Sequence, residues 1–200
     1  PFSSIDVQRW AGAALFERYG RDVDLTGFDC EVRVDVSDDR CMVGVQLTGA
    51  ALSRRQRCLY NPRAALKANV ACALLRLARQ RGGRILDPFC GSATIPIEAA
   101  QMFPPMEIEA SDYSPRAVAG ARRNLEAEGL EERVPLACRD VSELPDHYGA
   151  GSFDAIVTNP PFGVRLGRGM NFLAFYARFL DVAAHLLRPG GRLVFLAWKR

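Results

Sequence analysis

The strongest constraint on this chain lies in residues 61–200, where short, near-continuously apolar runs alternate with longer segments of helical periodicity. "RILDPF", "EIEASD", "RVPLACRD", "FDAIVTN" and "RLVFLAW" read as strands. Between them, "TIPIEAAQM" reads as a helix. "SPRAVAGARRNLEAEG" is another, with Ser114 as N-cap, Pro115 at its first position and Gly129 at its end. "NPRAALKANVACALLRLARQRGG" is expected to begin with Asn61 as N-cap and Pro62 at the first helical position. "NFLAFYARFLDVAAHLLRPGG" is expected to close at Pro189-Gly190-Gly191. Apolar strands in alternation with helices imply an α/β fold, a parallel sheet covered on both faces. "RLVFLAWKR" would leave an apolar edge unpaired, so the sheet is expected to continue past Arg200 and the chain to be truncated there.

Residues 1–50 read differently. "SSIDVQRWAGAALFERYG" is a helix behind a serine cap, closed by Gly20, with Ile5, Trp10, Ala13, Ala14 and Phe16 as its apolar face. "CEVRVDVSDDRCMVGVQLTG" alternates apolar and polar residues around Asp38-Asp39, as a β-hairpin does. One helix and one hairpin are too little for a stable domain, so 1–50 is expected to be the end of a larger α+β one. Residues 51–60 form a basic linker, and 61–200 the second domain.

The hydrophobic share of 48% and charged share of 24% are those of an ordinary soluble chain. No apolar run approaches the roughly 20 residues that span a bilayer, and nothing at the start reads as a signal peptide. The six cysteines show no CxxC spacing and stand apart from His147 and His185. Free thiols in a reducing cytoplasm are expected, with no metal. Net charge is only +3, yet residues Arg40 to Arg84 hold ten cationic side chains and no carboxylate. A polyanion would feel that stretch as a positive field, unless counter-charges elsewhere in the fold offset it.

In a doubly wound sheet, ligands bind beyond the carboxyl ends of the strands. Here those ends carry "DPFCGSAT", "SDYS", "RDVS" and "NPPF". The first loop, Asp87-Pro88-Phe89-Cys90-Gly91-Ser92, lacks the G-x-G-x-x-G spacing that lets backbone approach a pyrophosphate. A small carboxylate still suits the helix N-terminus near Ser92 and Thr94, and Asp87 suits an ammonium. Asp112 is placed to accept from two ribose hydroxyls, and Tyr113 to cover an adenine face. Asp140, followed by Val141, is placed to accept from an exocyclic adenine amine. Each acid alone would read as a loop former or helix cap. Together they describe an amino acid joined to an adenosine without phosphate, which is S-adenosylmethionine.

"LDPFCGSATIPIEAA" followed by "TNPPFGVRLG" resembles class I methyltransferases with a Rossmann-like sheet that modify nucleobase amines. Nearly the whole chain resembles the THUMP-linked RNA methyltransferases of the TrmN-type tRNA (guanine-N2)-methyltransferase group. "VGVQLTGAALSRRQR" looks like the last strand of a THUMP domain and its linker. The resemblance implies N2-methylation of a guanosine in a tRNA acceptor stem. The sequence departs from the family at Ala93, where glycine is usual, so an extra methyl group faces the cofactor loop.

The corner Asn159-Pro160-Pro161-Phe162 then acquires a chemical meaning. A guanine amine is a poor nucleophile because its lone pair is delocalised into the ring. The Asn159 side-chain carbonyl and the Pro160 backbone carbonyl would accept from its hydrogens, and prolines add no competing donor. Phe162 would stack on the base and Gly163 would let backbone approach it. Arg165 and Arg168 on the same loop, with Arg54, Arg55, Arg57, Arg63 and Lys67, make an RNA approach surface. Glutamine-N5 and DNA adenine-N6 methyltransferases share the NPPF motif, and a non-catalytic RNA-binding protein of this fold is the third reading. The half-domain at the N-terminus favours RNA over the former, and the intact Asp87, Gly91, Asp112, Asp140 and Asn159 disfavour the latter.

Overall fold

The computed structural model describes residues 2–49, 57–62, 65–161 and 171–197. The chain divides into two compact units, Pro1–Leu52 and Ser53–Arg200.

In the first unit, helix α1 (Ser4–Tyr19) starts at a capping box. The Ser3 hydroxyl accepts from the Asp6 N–H at 3.3 Å, and the Asp6 carboxylate accepts from the Ser3 N–H at 2.8 Å. Gly20 ends the helix in the left-handed conformation, φ 62°. Strands β1 (Glu31–Ser37) and β2 (Arg40–Gln46) form the expected antiparallel hairpin, in register from Glu31↔Gln46 to Ser37↔Arg40. The apolar face of α1 is not buried as a core face: Ile5, Trp10 and Phe16 are each more than half exposed. Within this unit a single helix and a two-stranded ribbon supply no second layer to cover it.

The second unit is built on a parallel five-stranded sheet of order β5-β4-β3-β6-β7. Its strands are β3 (Gly83–Asp87), β4 (Met106–Asp112), β5 (Leu136–Cys138), β6 (Phe153–Thr158) and β7 (Leu187–Phe195). Helices α2 (Ala68–Ala78), α3 (Thr94–Met102) and α4 (Pro115–Glu128) precede, link and follow β3 and β4. A 3-10 turn (Val141–Glu143), α5 (Leu144–His147) and α6 (Phe172–Leu186) flank β6. Strand periodicity splits the core in two. Ile85 and Val157 pack with Leu75, Ile95, Ile97 and Leu125 in one layer. Leu86 and Ile156 pack with Leu144, Phe153, Phe179 and Leu186 in the other. Each of these side chains, buried at this size, contributes about 1.5–3 kcal/mol. The strand order reverses between β3 and β6, so their carboxyl ends are neighbours at the point where ligands bind in sheets of this kind.

Two segments differ from the sequence pattern. The helix expected from Pro62 starts only at Ala68, and Lys67 at its N-cap makes no side-chain cap bond. No cap bond of Asn61 occurs among the described residues; the Ala65 N–H donates to the Pro62 carbonyl at 2.8 Å. The cause is tertiary, since the backbone of Tyr60 is held by Asn124 of α4. The second is Pro189-Gly190-Gly191, expected to separate a helix from a strand. In the structure α6 stops at Leu186 and the three residues lie inside β7. Leu187 pairs with Phe153 and the ladder resumes at Arg192↔Ala155, so the triplet bulges out of a continuous strand pairing. Gly191 is required there, because a Cβ would sit 2.9 Å from the Arg188 carbonyl oxygen.

Candidate functional site

Asp87 ends β3 and is almost fully buried. Its Oδ1 accepts from the Thr158 hydroxyl at 2.6 Å and from the Phe89 N–H at 3.2 Å. Burial pushes the carboxyl up to about 7; the two hydrogen bonds oppose the rise, and the nearby Asp112 charge adds to it. Thr158 is itself fully buried at the end of β6, next to Asn159. The pairing of β3 with β6 (Leu86↔Ile156) sets these two strand ends side by side.

The loop after β3 is held from β4. The Cys90 N–H donates to the Ser111 carbonyl at 2.9 Å, and the Gly91 N–H to Asp112 Oδ2 at 3.0 Å. Asp112 Oδ1 accepts from the Ser114 N–H at 3.0 Å, so both carboxylate oxygens are oriented before any ligand arrives. The loop turns through Gly91 (φ 54°) and Ala93 (φ 63°) into α3, whose N-cap Ala93 has no side chain to accept from the first turn. Alanine in the left-handed region costs roughly 1–2 kcal/mol. The hydroxyls of Ser92 and Thr94 lie 3.1 Å apart in the interior. Pro88 and Cys90 are buried, and burial raises the Cys90 thiol well above its ordinary range. Phe89 packs on Phe175 and Phe179, at 5.6 and 5.3 Å between ring centroids.

Tyr113 follows Asp112 and is 70% exposed, an aromatic surface at the rim. Asp140, exposed after β5, caps the 3-10 turn by accepting from the Ser142 N–H at 2.9 Å, and Val141 beside it is buried. At the end of β6, Asn159 Oδ1 is buried and has no hydrogen-bond partner among the described residues. A buried carbonyl left so costs about 1–3 kcal/mol, and a ligand N–H would remove that cost. Pro160 is buried, and the Pro161 carbonyl accepts from the Tyr176 hydroxyl at 3.2 Å, which fixes the corner onto α6.

Asp87, the 88–92 loop and Asp112 are thus tied together by hydrogen bonds, and Asn159 is contiguous with Thr158. Tyr113 and Asp140 stand at the ends of neighbouring strands. Arg57 and Lys67 are exposed. Arg54, Arg55, Arg63, Phe162, Gly163, Arg165 and Arg168 lie outside the described residues. The sequence reading missed Thr158, Tyr176 and Asn124, which position this site. Thr158 looked like a strand residue, but Asn124 carried a signal: it falls on the small-residue face Ala117, Gly120, Ala121 of α4, where a polar side chain must be buried. All six cysteines are free, no described helix is long and apolar enough to cross a membrane, and no described cluster of His, Cys, Asp and Glu suits a metal.

Residues 55–200 match the family model described as the RMKL-like methyltransferase domain, and residues 1–46 match the THUMP domain. The tRNA (guanine(6)-N2)-methyltransferase of Thermus thermophilus is 42% identical over 98% of this chain and 58% of its own length. A U6 snRNA (guanine-N(2))-methyltransferase of Bos taurus is 32% identical over 96% of this chain and 36% of its own. The crystal structure of TrmN from Thermus thermophilus superposes with a TM-score of 0.81 at 39% identity, covering 98% of this chain and 57% of that one. The chain thus spans little more than half the length, or less, of the relatives it matches.

Proposed function

Because the chain belongs to the RMKL-like methyltransferase domain family, with a THUMP segment ahead of it, we propose that it serves an S-adenosylmethionine-dependent RNA methyltransferase of the cytoplasm. The acceptor is N2 of a guanosine, in tRNA. The observation that carries this reading is the buried Oδ1 of Asn159, without a hydrogen-bond partner among the described residues, beside the Thr158–Asp87 hydrogen bond, at the point where the strand order reverses.

The residues present suit S-adenosylmethionine. Asp87 is a buried acid with no ion pair among the described residues, and an ammonium beside it would restore its ionised form. Asp112, oriented by two backbone donors, keeps lone pairs for ribose hydroxyls, and exposed Tyr113 offers a face to the adenine. The Asp140 carboxylate, already a cap, serves the exocyclic amine, with Val141 as the apolar floor. Pro88, Phe89, Cys90, Ser92 and Thr94 complete the loop around the methionine end.

When bound, S-adenosylmethionine supplies a methyl group already activated by its sulfonium. The chain's own task is alignment. The Asn159 side-chain carbonyl and the Pro160 carbonyl accept from the two amine hydrogens of the guanine, which favours a pyramidal nitrogen whose lone pair is withdrawn from the ring and aimed at the methyl group. Pro160 and Pro161 contribute no N–H that would compete. No strong general base is needed, since the methylated nitrogen is acidic and loses its proton to water. Phe162 is assigned the stacking role and Gly163 the close approach. A target within a stem must be flipped out, at a cost of a few kcal/mol. Arg54, Arg55, Arg57, Arg63, Lys67, Arg165 and Arg168 are assigned to phosphates.

Asn159→Ala tests the reading. Affinity for S-adenosylhomocysteine by calorimetry should stay within a few-fold, while methyl transfer to tRNA falls about 10²–10³-fold, the usual loss for one transition-state partner. Near-native turnover would refute the assigned role of Asn159.

A further inference from the structure

One stripe of α4 has no part in the cofactor contacts assigned above. Gly120, Asn124 and Glu128 are spaced four apart and so lie on one face of the helix. All three meet the segment 57–60, which follows the first unit in sequence. Glu128 Oε1 accepts from the Arg57 N–H at 2.5 Å. The fully buried Asn124 accepts from the Tyr60 N–H at 2.8 Å and donates to the Tyr60 carbonyl at 2.8 Å, as a neighbouring strand would. The Tyr60 ring lies where a side chain at position 120 would be, since a Cβ there would come within 2.1 Å of it. Gly120 is a seat for that ring.

Asn124 has one donor left, and it goes elsewhere. Its second N–H reaches the Ser92 carbonyl at 2.9 Å, in the loop assigned to the cofactor. One amide group therefore joins two segments, 57–62 and 88–93. A planar amide cannot turn toward one without turning from the other. Resting on the cofactor assignment above, we infer that Asn124 is a positioning residue that couples cofactor binding to the seating of segment 57–62, each strengthening the other. Reciprocity is a thermodynamic requirement of such coupling.

The test uses the intact protein and S-adenosylhomocysteine as the probe. Amide hydrogen exchange in the wild type should slow at residues 57–62 when the probe is added. Asn124→Ala should abolish that response and weaken the probe about tenfold, the effect of a lost buried donor. Gly120→Ala leaves Asn124 and the loop chemically intact and evicts only the Tyr60 ring. It should nevertheless weaken the probe several-fold and raise exchange at 57–62. Purely structural packing would lower the melting temperature of both variants while leaving affinity and the exchange response native. That outcome, beside an Asp112→Ala control that has lost binding, overturns the coupling alone. A wild-type protein that does not bind the probe overturns the cofactor assignment and the coupling with it.

Discussion

Thr158→Val is the most informative single change in this site, because it removes one oxygen and keeps the shape. The Thr158 hydroxyl donates to Asp87 at 2.6 Å in a fully buried environment. Such a bond to a charged acceptor is worth about 1.5–3 kcal/mol, the equivalent of roughly 1–2 pH units of titration. Asp87 is pushed up to about 7 with the bond in place, so without it the ionised form is confined to still higher pH. The sign follows from proton linkage. From about pH 4 to 7 the unfolded chain releases a proton that the folded chain retains, so this group makes the unliganded fold less stable as pH rises through that window. A bound ammonium reverses the preference, since it interacts with the ionised acid only.

Affinity for S-adenosylhomocysteine should therefore rise with pH up to about 7, as Asp87 ionises against the ligand's ammonium. In Thr158→Val this rise moves to higher pH by roughly 1–2 units. Affinity at pH 7 should fall roughly 5- to 50-fold. Calorimetric titration of both proteins from pH 5.5 to 9 measures this. Profiles that superpose, or a native profile flat between pH 5.5 and 7.5, refute the reasoning.

Two further predictions follow from residues already placed. Ala93, fully buried at φ 63°, should accept glycine with a stability change under about 1 kcal/mol, because relief of the left-handed strain offsets the lost methyl and the added chain entropy. Ala93→Val should cost more than about 2 kcal/mol in urea unfolding, since a β-branched residue is excluded from that conformation, and native stability would contradict the assignment. Replacing the exposed Arg57 and Lys67 together by alanine should weaken tRNA binding and lower the salt slope by about one per lost phosphate contact; an unchanged slope refutes their role.

Local signals in the sequence served well wherever the structure is itself local. Ser114, Pro115 and Gly129 bound α4 to the residue, and the Asp38-Asp39 turn sets the hairpin register. The failures lie where a distant group overrides a local preference. Asn61-Pro62 is a good helix start, yet Asn124, more than sixty residues away, captures the neighbouring backbone and delays the helix to Ala68. Pro189-Gly190-Gly191 is a good helix stop, yet strand pairing on both sides of it absorbs the triplet as a bulge. The same limit hid Thr158, because a threonine ending an apolar strand shows nothing of the acid that its hydroxyl will meet.

What the fold adds to the motifs is rigidity between them. Asp87 and Asn159 are read from separate stretches of sequence, one for an ammonium and one for an amine. In the sheet they end adjacent strands, joined through the Thr158 hydroxyl, with strand pairing behind them. Asp87 is therefore placed by strand pairing and Asn159 by its attachment to the paired Thr158, which holds a site more tightly than loops do. Asp112 and Asn124 grip the intervening loop from β4 and α4 in the same way. A methyl transfer that depends on alignment rather than on a strong base needs this kind of support, since a displacement of about 1 Å can cost 10²-fold in rate. It follows that substitutions in the supporting residues Thr158 and Asn124 should depress turnover more than their loss of cofactor affinity alone explains.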